Sequence, residues 1–463
     1  MEIEVVPIQE YTFSASSAML TMENRTLLGH PVGLFVLFFT ELWERFSYYG
    51  MRAILVLYLT AETQGKNPGL GWDNTSALEL YGWYTMLVYM MSIPGGLLAD
   101  RLIGQKKAVL LGGVLIIIGQ FVLAIDSIYA FAAGLILIVS GVGALKPNIS
   151  TMVGGLYRQG DPKRDAGFTI FYIGINIGAF SAPLLVGYFG EVIDWHLGFS
   201  LAGFGMILGQ IVYVFGQKYL VGVGESHHRS EESKELMSKP LTKIEKDRMI
   251  VLMLSFIIMI VFWGAYEQAG GFMNLYAKQT VDRVVFGYEI PASFLQSLHA
   301  FYVIILGAPM AAFWLWWKRK KKESSAIFKM GIGTIIMGFG FLALVGAAYE
   351  VSVLALEKAS LYWLLLSYFL HVVGELSSSP IALSFITKLA PAKYASFMMG
   401  AYFAVTGLGN KLAGMIGEAA ESAGALEVFS GVAIFCGLFG ALLLVFVKRL
   451  KALTHGAEDD LVE

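Results

Sequence analysis

The sequence predicts an all-α membrane protein with twelve transmembrane helices in two six-helix bundles. Three observations carry that expectation. Of the 463 residues, 56% are hydrophobic and only 15% are charged, against roughly 25% charged in an ordinary soluble protein. The apolar residues fall in blocks of about 20 or more, the length that crosses a bilayer. One long charged stretch, "GESHHRSEESKELMSKPLTKIEKDR" at 224–248, holds no span and divides the blocks six and six.

Composition excludes several other classes. The balance of 33 basic and 35 acidic residues gives no case for nucleic-acid binding. The single cysteine, Cys436, lies in an apolar run, which excludes an internal disulfide and a cysteine metal cluster. None of the seven histidines is followed by Glu, so there is no HExxH zinc motif, and no GxxxxGK[ST] phosphate loop occurs. Neither an intramembrane enzyme nor an ATP-driven pump is supported, and no cofactor is expected. Residues 1–29 carry Glu2, Glu4 and Glu10 with no basic n-region before an apolar core. They read as a polar N-terminal tail rather than a signal peptide.

The N-terminal bundle, 30–219, holds spans at about 31–61, 77–102, 106–126, 129–156, 165–191 and 196–219. The first is unusual, because "FFTELWERFSYYGMRAILVLYL" puts four ionisable groups into a helix otherwise apolar enough for hydrocarbon. At 100° per residue, Glu41, Glu44, Arg45, Tyr48, Tyr49 and Arg52 fall within an arc of about 140°. One charge at mid-membrane costs roughly 2.5–3.5 kcal/mol. The stripe is therefore tolerable only if it faces a hydrated cavity and its members pair. The fourth span carries Lys146 in "SGVGALKPNIS", flanked by Gly141, Gly143 and Pro147, and the fifth carries Asn176 in "FYIGINIGAF".

Residues 220–248 form the linker. The C-terminal bundle, 249–449, holds spans at about 249–278, 293–317, 325–348, 360–389, 394–422 and 425–448, followed by a tail at 450–463. Glu267 lies deep in the seventh span beside Trp263, and His299 in the eighth. Glu375 lies in the tenth, where Pro380 can bend the helix. His371, one turn before Glu375, reads as a packed polar residue, and Lys411 of the eleventh, able to brace a helix interface or to pair with Glu418, is left unassigned. Together these side chains make a cavity of mixed charge: cations for a carboxylate, anions for an amine, aromatics for side chains. A zwitterion with variable side chains fits such a lining.

Orientation follows from Lys and Arg. With both termini cytoplasmic, 25 of the 33 basic residues lie inside and only Lys66, Lys278, Arg283 and Lys358 outside. The remaining four, Arg45, Arg52, Lys146 and Lys411, lie within spans.

Two resemblances sharpen this reading. "GGLLADRLIGQKK", 95–107, resembles the loop signature of the major facilitator superfamily, with Gly96, Asp100, Arg101, Gly104 and Lys106 at the expected spacing. It implies the major facilitator fold, whose halves rock about a central site. "ELWERFSYYGMR" resembles the ExxERFxYYG signature of the proton-dependent oligopeptide transporters. "FTIFYIGINIG", "GALKPN" and "GELSSSP" are similar to further segments of that family, and the resemblance runs from about 29 to 415.

The resemblance implies a proton-coupled symporter that imports di- and tripeptides by alternating access across the plasma membrane. Its ligands are peptides and protons, its surroundings the lipid bilayer, and no obligate protein partner is implied. Arg45 and Lys146 match receptors for the peptide carboxylate. Glu375 matches the acceptor for the amino group, assisted by Asn176. Tyr48, Tyr49, Tyr89 and Trp263 match pocket-lining aromatics, and Glu41 and Glu44 belong to the motif tied to proton coupling. Glu267 matches a proton-binding carboxylate whose partner is Arg52. Two positions depart from the pattern: His299 with Ala300 where many relatives have Asn then Pro, and Tyr402 where relatives often have Trp. These departures keep an alternative open, a proton-coupled transporter of another small anion or a peptide-like drug.

Overall fold

Hydrocarbon offers no partner to a backbone N–H or C=O, so a spanning segment must satisfy its own, and the apolar blocks fold as helices. A computed structural model describes residues 25–158, 161, 163–224, 240–391 and 394–457. Most of the expected N-terminal tail, the middle of the linker (225–239) and the end of the C-terminal tail (458–463) lie outside the described residues.

Twelve long helical rods are described. They are α1 (Val32–Thr60), α2 (Asn74–Ile103), α3 (Gln105–Leu123), α4 (Ile128–Gly155), α5 (Ala166–Ile193) and α6 (Trp195–Tyr219). After the linker come α7 (Lys243–Thr280), α8 (Ala292–Arg319), α9 (Ala326–Ser352) and α10 (Leu361–Ile386), then α11 (Ala395–Ala423) and α12 (Ala425–Ala452). By length and apolar composition, 10 of these rods are suited to cross a membrane. The two others are α1 and α11, the helices interrupted by charge: the buried Glu41, Glu44, Arg45 and Arg52 in one, the half-buried Lys411 and Glu418 in the other.

The helix ends differ from the expected spans for local reasons. Helix α7 begins at Lys243, inside the expected linker, because Thr242 and Glu245 form a reciprocal capping box that satisfies the first-turn N–H groups. Helix α12 runs on to Ala452. Residues 26–27, expected as tail, pair with 30–31 at the start of the expected bundle as a two-residue antiparallel ladder.

In the first bundle α1 packs along both α5 and α6, and α3 along α4. In the second, α9 packs along α10 and α12, and α7 along α11. Two seams join the bundles, α2 with α11 and α5 with α8. The first seam is built on glycine. A Cβ on Gly82 would come 3.1 Å from the Gly414 Cα, so neither helix tolerates a side chain there.

Three rods are broken close to candidate site residues. Helix α2 turns at Met91, just past Tyr89. Helix α7 tightens into a 3₁₀ turn at Glu267–Ala269 and restarts after Gly271. Its Gln268 side chain spans the break, donating to Gly264 O of the same helix at 3.2 Å and to Ala413 O of α11 at 2.8 Å. Helix α10 breaks at Ser377 and Ser378, because Pro380 has no N–H for Leu376. Broken helices are the usual way a transporter brings backbone and charge to the middle of a bilayer.

Candidate functional site

The charged stripe of α1 is buried, and its members pair as hydrocarbon requires. Arg45 Nε lies 2.7 Å from Glu41 Oε1 and 2.8 Å from Glu44 Oε2. Helical spacing puts Glu41 one turn below Arg45, and Gly178 of α5 lets the neighbouring backbone close over them. A Cβ at that glycine would lie 3.0 Å from the Arg45 Cβ. Further along the stripe, Arg52 Nη1 meets Glu267 Oε2 of α7 at 2.7 Å. The Tyr81 hydroxyl donates to the same oxygen at 3.4 Å. The Arg52 guanidinium sits 4.9 Å from the Tyr49 ring centroid, and that of Arg45 5.8 Å from Tyr48.

Lys146 of α4 stands apart from these pairs. Its Nζ lies 3.6 Å from the centroid of the Tyr89 ring and 5.8 Å from that of Phe403. Among the described residues no carboxylate comes within 4.0 Å of it. Arg45, Glu44 and Glu41 act on it from beyond that distance.

The second bundle supplies a different cluster. Glu375 is buried, with no cation within 4.0 Å among the described residues. It accepts a hydrogen bond from the Tyr266 hydroxyl at 2.5 Å. His299 stacks on Tyr266 with centroids 4.5 Å apart and meets the Tyr368 ring edge-on at 4.9 Å. Its Nε2 is buried without a partner among the described residues. Trp263 packs edge-on against Tyr266 at 5.3 Å, and Tyr402 is buried beside Trp263 and Ser379.

The expected site residues thus form three groups: Glu41, Glu44, Arg45 and Tyr48; Arg52, Glu267 and Tyr49; and Glu375, His299 and Trp263. Among the described residues Asn176 joins none of them by a hydrogen bond. Its amide donates to Tyr172 O, one turn back on α5, at 2.9 Å, while the hydrogen bond that Glu375 accepts comes from Tyr266. His371 is fully buried against Phe341 and Ser367 as a packed polar residue. Lys411 pairs with Glu418 at 3.3 Å.

Sequence reasoning missed three participants. Tyr266 and Tyr81 each carried a faint signal, one adjacent to Glu267 and the other in a Tyr-rich span. Glu191 carried none, because it sits at the end of a span. Its carboxylate accepts from Ala292 N at 3.2 Å, Ser293 N at 3.1 Å and Ser293 Oγ at 2.9 Å, and it pairs with Lys278 Nζ at 2.7 Å. An anion from the first bundle therefore caps the start of α8 in the second. Close by, Asn274 Nδ2 and Gln296 Nε2 both donate to Ala53 O, at 2.9 and 3.3 Å. These bonds join the bundles at the face that carries loops 61–73 and 281–291.

A family model described as "POT family" matches residues 106–227 and 224–427. An uncharacterised Bacillus subtilis transporter, YclF, is 36% identical over 95% of this chain and 98% of its own. The peptide transporter YePEPT of Yersinia enterocolitica is 32% identical over 95% of this chain and 98% of its own. Among solved structures, that of a peptide transporter POT in complex with sulfate superposes with a TM-score of 0.85 at 34% identity, over 94% of this chain and 99% of the other.

Proposed function

The chain belongs to the POT family of membrane transporters, and from that premise we propose that it is a proton-coupled symporter importing di- and tripeptides. One observation carries the reading: Lys146 in one bundle and Glu375 in the other are a cation and an anion without ion-pair partners. An unpaired charge in a low-dielectric interior is costly. A zwitterion bridging the bundles satisfies both, with its carboxylate on Lys146 and Arg45 and its ammonium on Glu375. The aromatic rings of Tyr48, Tyr49, Tyr89, Trp263 and Tyr402 then supply apolar surface for side chains of varied shape.

Coupling follows from competing pairs. Protonation of Glu267 removes its attraction to Arg52 and loosens the junction between α1 and α7. A peptide carboxylate on Arg45 draws it from Glu41 and Glu44. Two sets of ion pairs that cannot both persist make a bistable element, which proton and peptide bias in the same direction. With the termini cytoplasmic, the face closed by Glu191 is the outer one. One proton moving through 100 mV supplies about 2.3 kcal/mol, and one pH unit about 1.36 kcal/mol. Together they sustain a concentration ratio of several hundred.

A carrier of a simple anion would need no Glu375. The two readings separate in a competition assay: uptake of labelled dialanine into proteoliposomes against excess unlabelled analogues. Dialanine should compete well, while N-acetyl-dialanine and dialanine amide, each lacking one charge, should compete poorly. Equal competition by the N-acetylated compound would favour the anion carrier.

A further inference from the structure

Helices α8 and α9 each pack along α10 and hardly on one another. They leave a groove with α10 as its floor. Its walls include Phe313, Trp314 and Trp317 of α8 and Phe328 and Ile332 of α9, over Val373 of α10, and its volume is about 260 Å³. The lining is apolar. At its end the chain turns from aromatic to basic in "FWLWWKRKKKESSAIFK", 313–329. Two of the ammonium groups lie against the groove tryptophans: Lys322 Nζ is 4.3 Å from the Trp317 ring centroid, and Lys329 Nζ 5.4 Å from that of Trp314. The two indoles differ in one respect. Trp317 Nε1 donates to Glu323 O at 2.8 Å, whereas Trp314 Nε1 is buried and has no acceptor among the described residues.

We propose that this groove binds an anionic phospholipid. One acyl chain fills the aromatic cleft, an ester or phosphate oxygen accepts from Trp314 Nε1, and the headgroup charge rests on Lys322 and Lys329. The combination selects that occupant. An apolar trough at a membrane-spanning surface suits an acyl chain, and tryptophans beside lysines mark the headgroup level of a bilayer. A buried N–H without an acceptor suits an oxygen that arrives with the ligand. A zwitterionic lipid would bring a second positive charge toward a cluster already carrying five successive basic residues, Lys318–Lys322 with Arg319 among them. An anionic one brings only the complement.

The test uses the full chain in phosphatidylcholine vesicles, with rising fractions of phosphatidylglycerol brominated on one acyl chain. Tryptophan quenching is read as the difference between wild type and Trp314→Phe. The Trp314 component should be half-quenched at a mole fraction at least about fivefold lower for brominated phosphatidylglycerol than for brominated phosphatidylcholine. The double variant Lys322→Ala/Lys329→Ala should lose that preference, since each lysine near an anionic surface is worth about fivefold. Lys322 is exposed, and Lys322→Ala alone, expected to halve the preference or more, covers the case in which the double variant misfolds. Coincident curves for the two lipids in wild type, or a preference that survives loss of both lysines, would overturn the proposal.

Discussion

Arg52 and Glu267 lie 215 positions apart in the chain and meet at 2.7 Å where α1 of one bundle crosses α7 of the other. Both side chains are buried, and the pair stands at the 3₁₀ break of α7. A charge pair at such a junction holds only while both members are ionised. Replacing Glu267 with Gln mimics the protonated state permanently. Glu267→Gln should abolish proton-driven accumulation of dialanine while leaving exchange of labelled for unlabelled dialanine across the membrane. Unchanged accumulation would remove Glu267 from the coupling role.

The two unpaired charges predict separable defects. Hydrogen bonds to charged groups contribute about 1.5–3 kcal/mol, so Lys146→Ala should raise the KM for dialanine roughly 10- to 100-fold. Glu375→Gln should raise it by a similar factor and also narrow the discrimination against N-acetyl-dialanine. Concentration-dependent uptake with both compounds measures this. A Glu375→Gln protein that still rejects the acetylated compound would place the amine receptor elsewhere.

Tyr266 is a positioning residue for Glu375, donating to it at 2.5 Å. Tyr266→Phe keeps the ring that stacks on His299 and removes only the donor. The KM for dialanine should rise by less than in Glu375→Gln, with discrimination against the acetylated compound retained. A defect as large as that of Glu375→Gln, with discrimination lost, would make the hydroxyl itself the receptor.

Glu191 predicts a conformational effect. Its carboxylate holds two backbone N–H groups, one hydroxyl and Lys278 across the bundle junction. Glu191→Ala should loosen that face. In a Cys436→Ser background, a cysteine at Ala292, which is fully buried, should react about tenfold faster with an impermeant maleimide when Glu191 is absent. No change in rate would mean that the face is held by other contacts.

Much of this was legible in the sequence because a bilayer makes charge expensive. The α1 stripe declared a polar face within hydrocarbon, and the structure pairs Arg45 with Glu41 and Glu44 along it. Apolar length likewise located the helices to within a few residues, missing mainly where a capping box extended α7. Pairings between distant spans were less legible. That Tyr266 donates to Glu375 depends on how α7 and α10 lie against one another, which periodicity along one helix does not encode. Glu191 was invisible for a similar reason, because an acidic residue at a span end is unremarkable until the start of α8 arrives beside it.

In the proposed mechanism the Arg45 and Arg52 ion pairs couple a proton gradient to peptide movement by breaking and re-forming. The most direct measurement is uptake of labelled dialanine into proteoliposomes containing this protein alone, with and without an inward proton gradient. Accumulation above the external concentration, collapsing on addition of a protonophore, is the expected result. Uptake that only equilibrates, with the same extent in both conditions and no response to the protonophore, would contradict it.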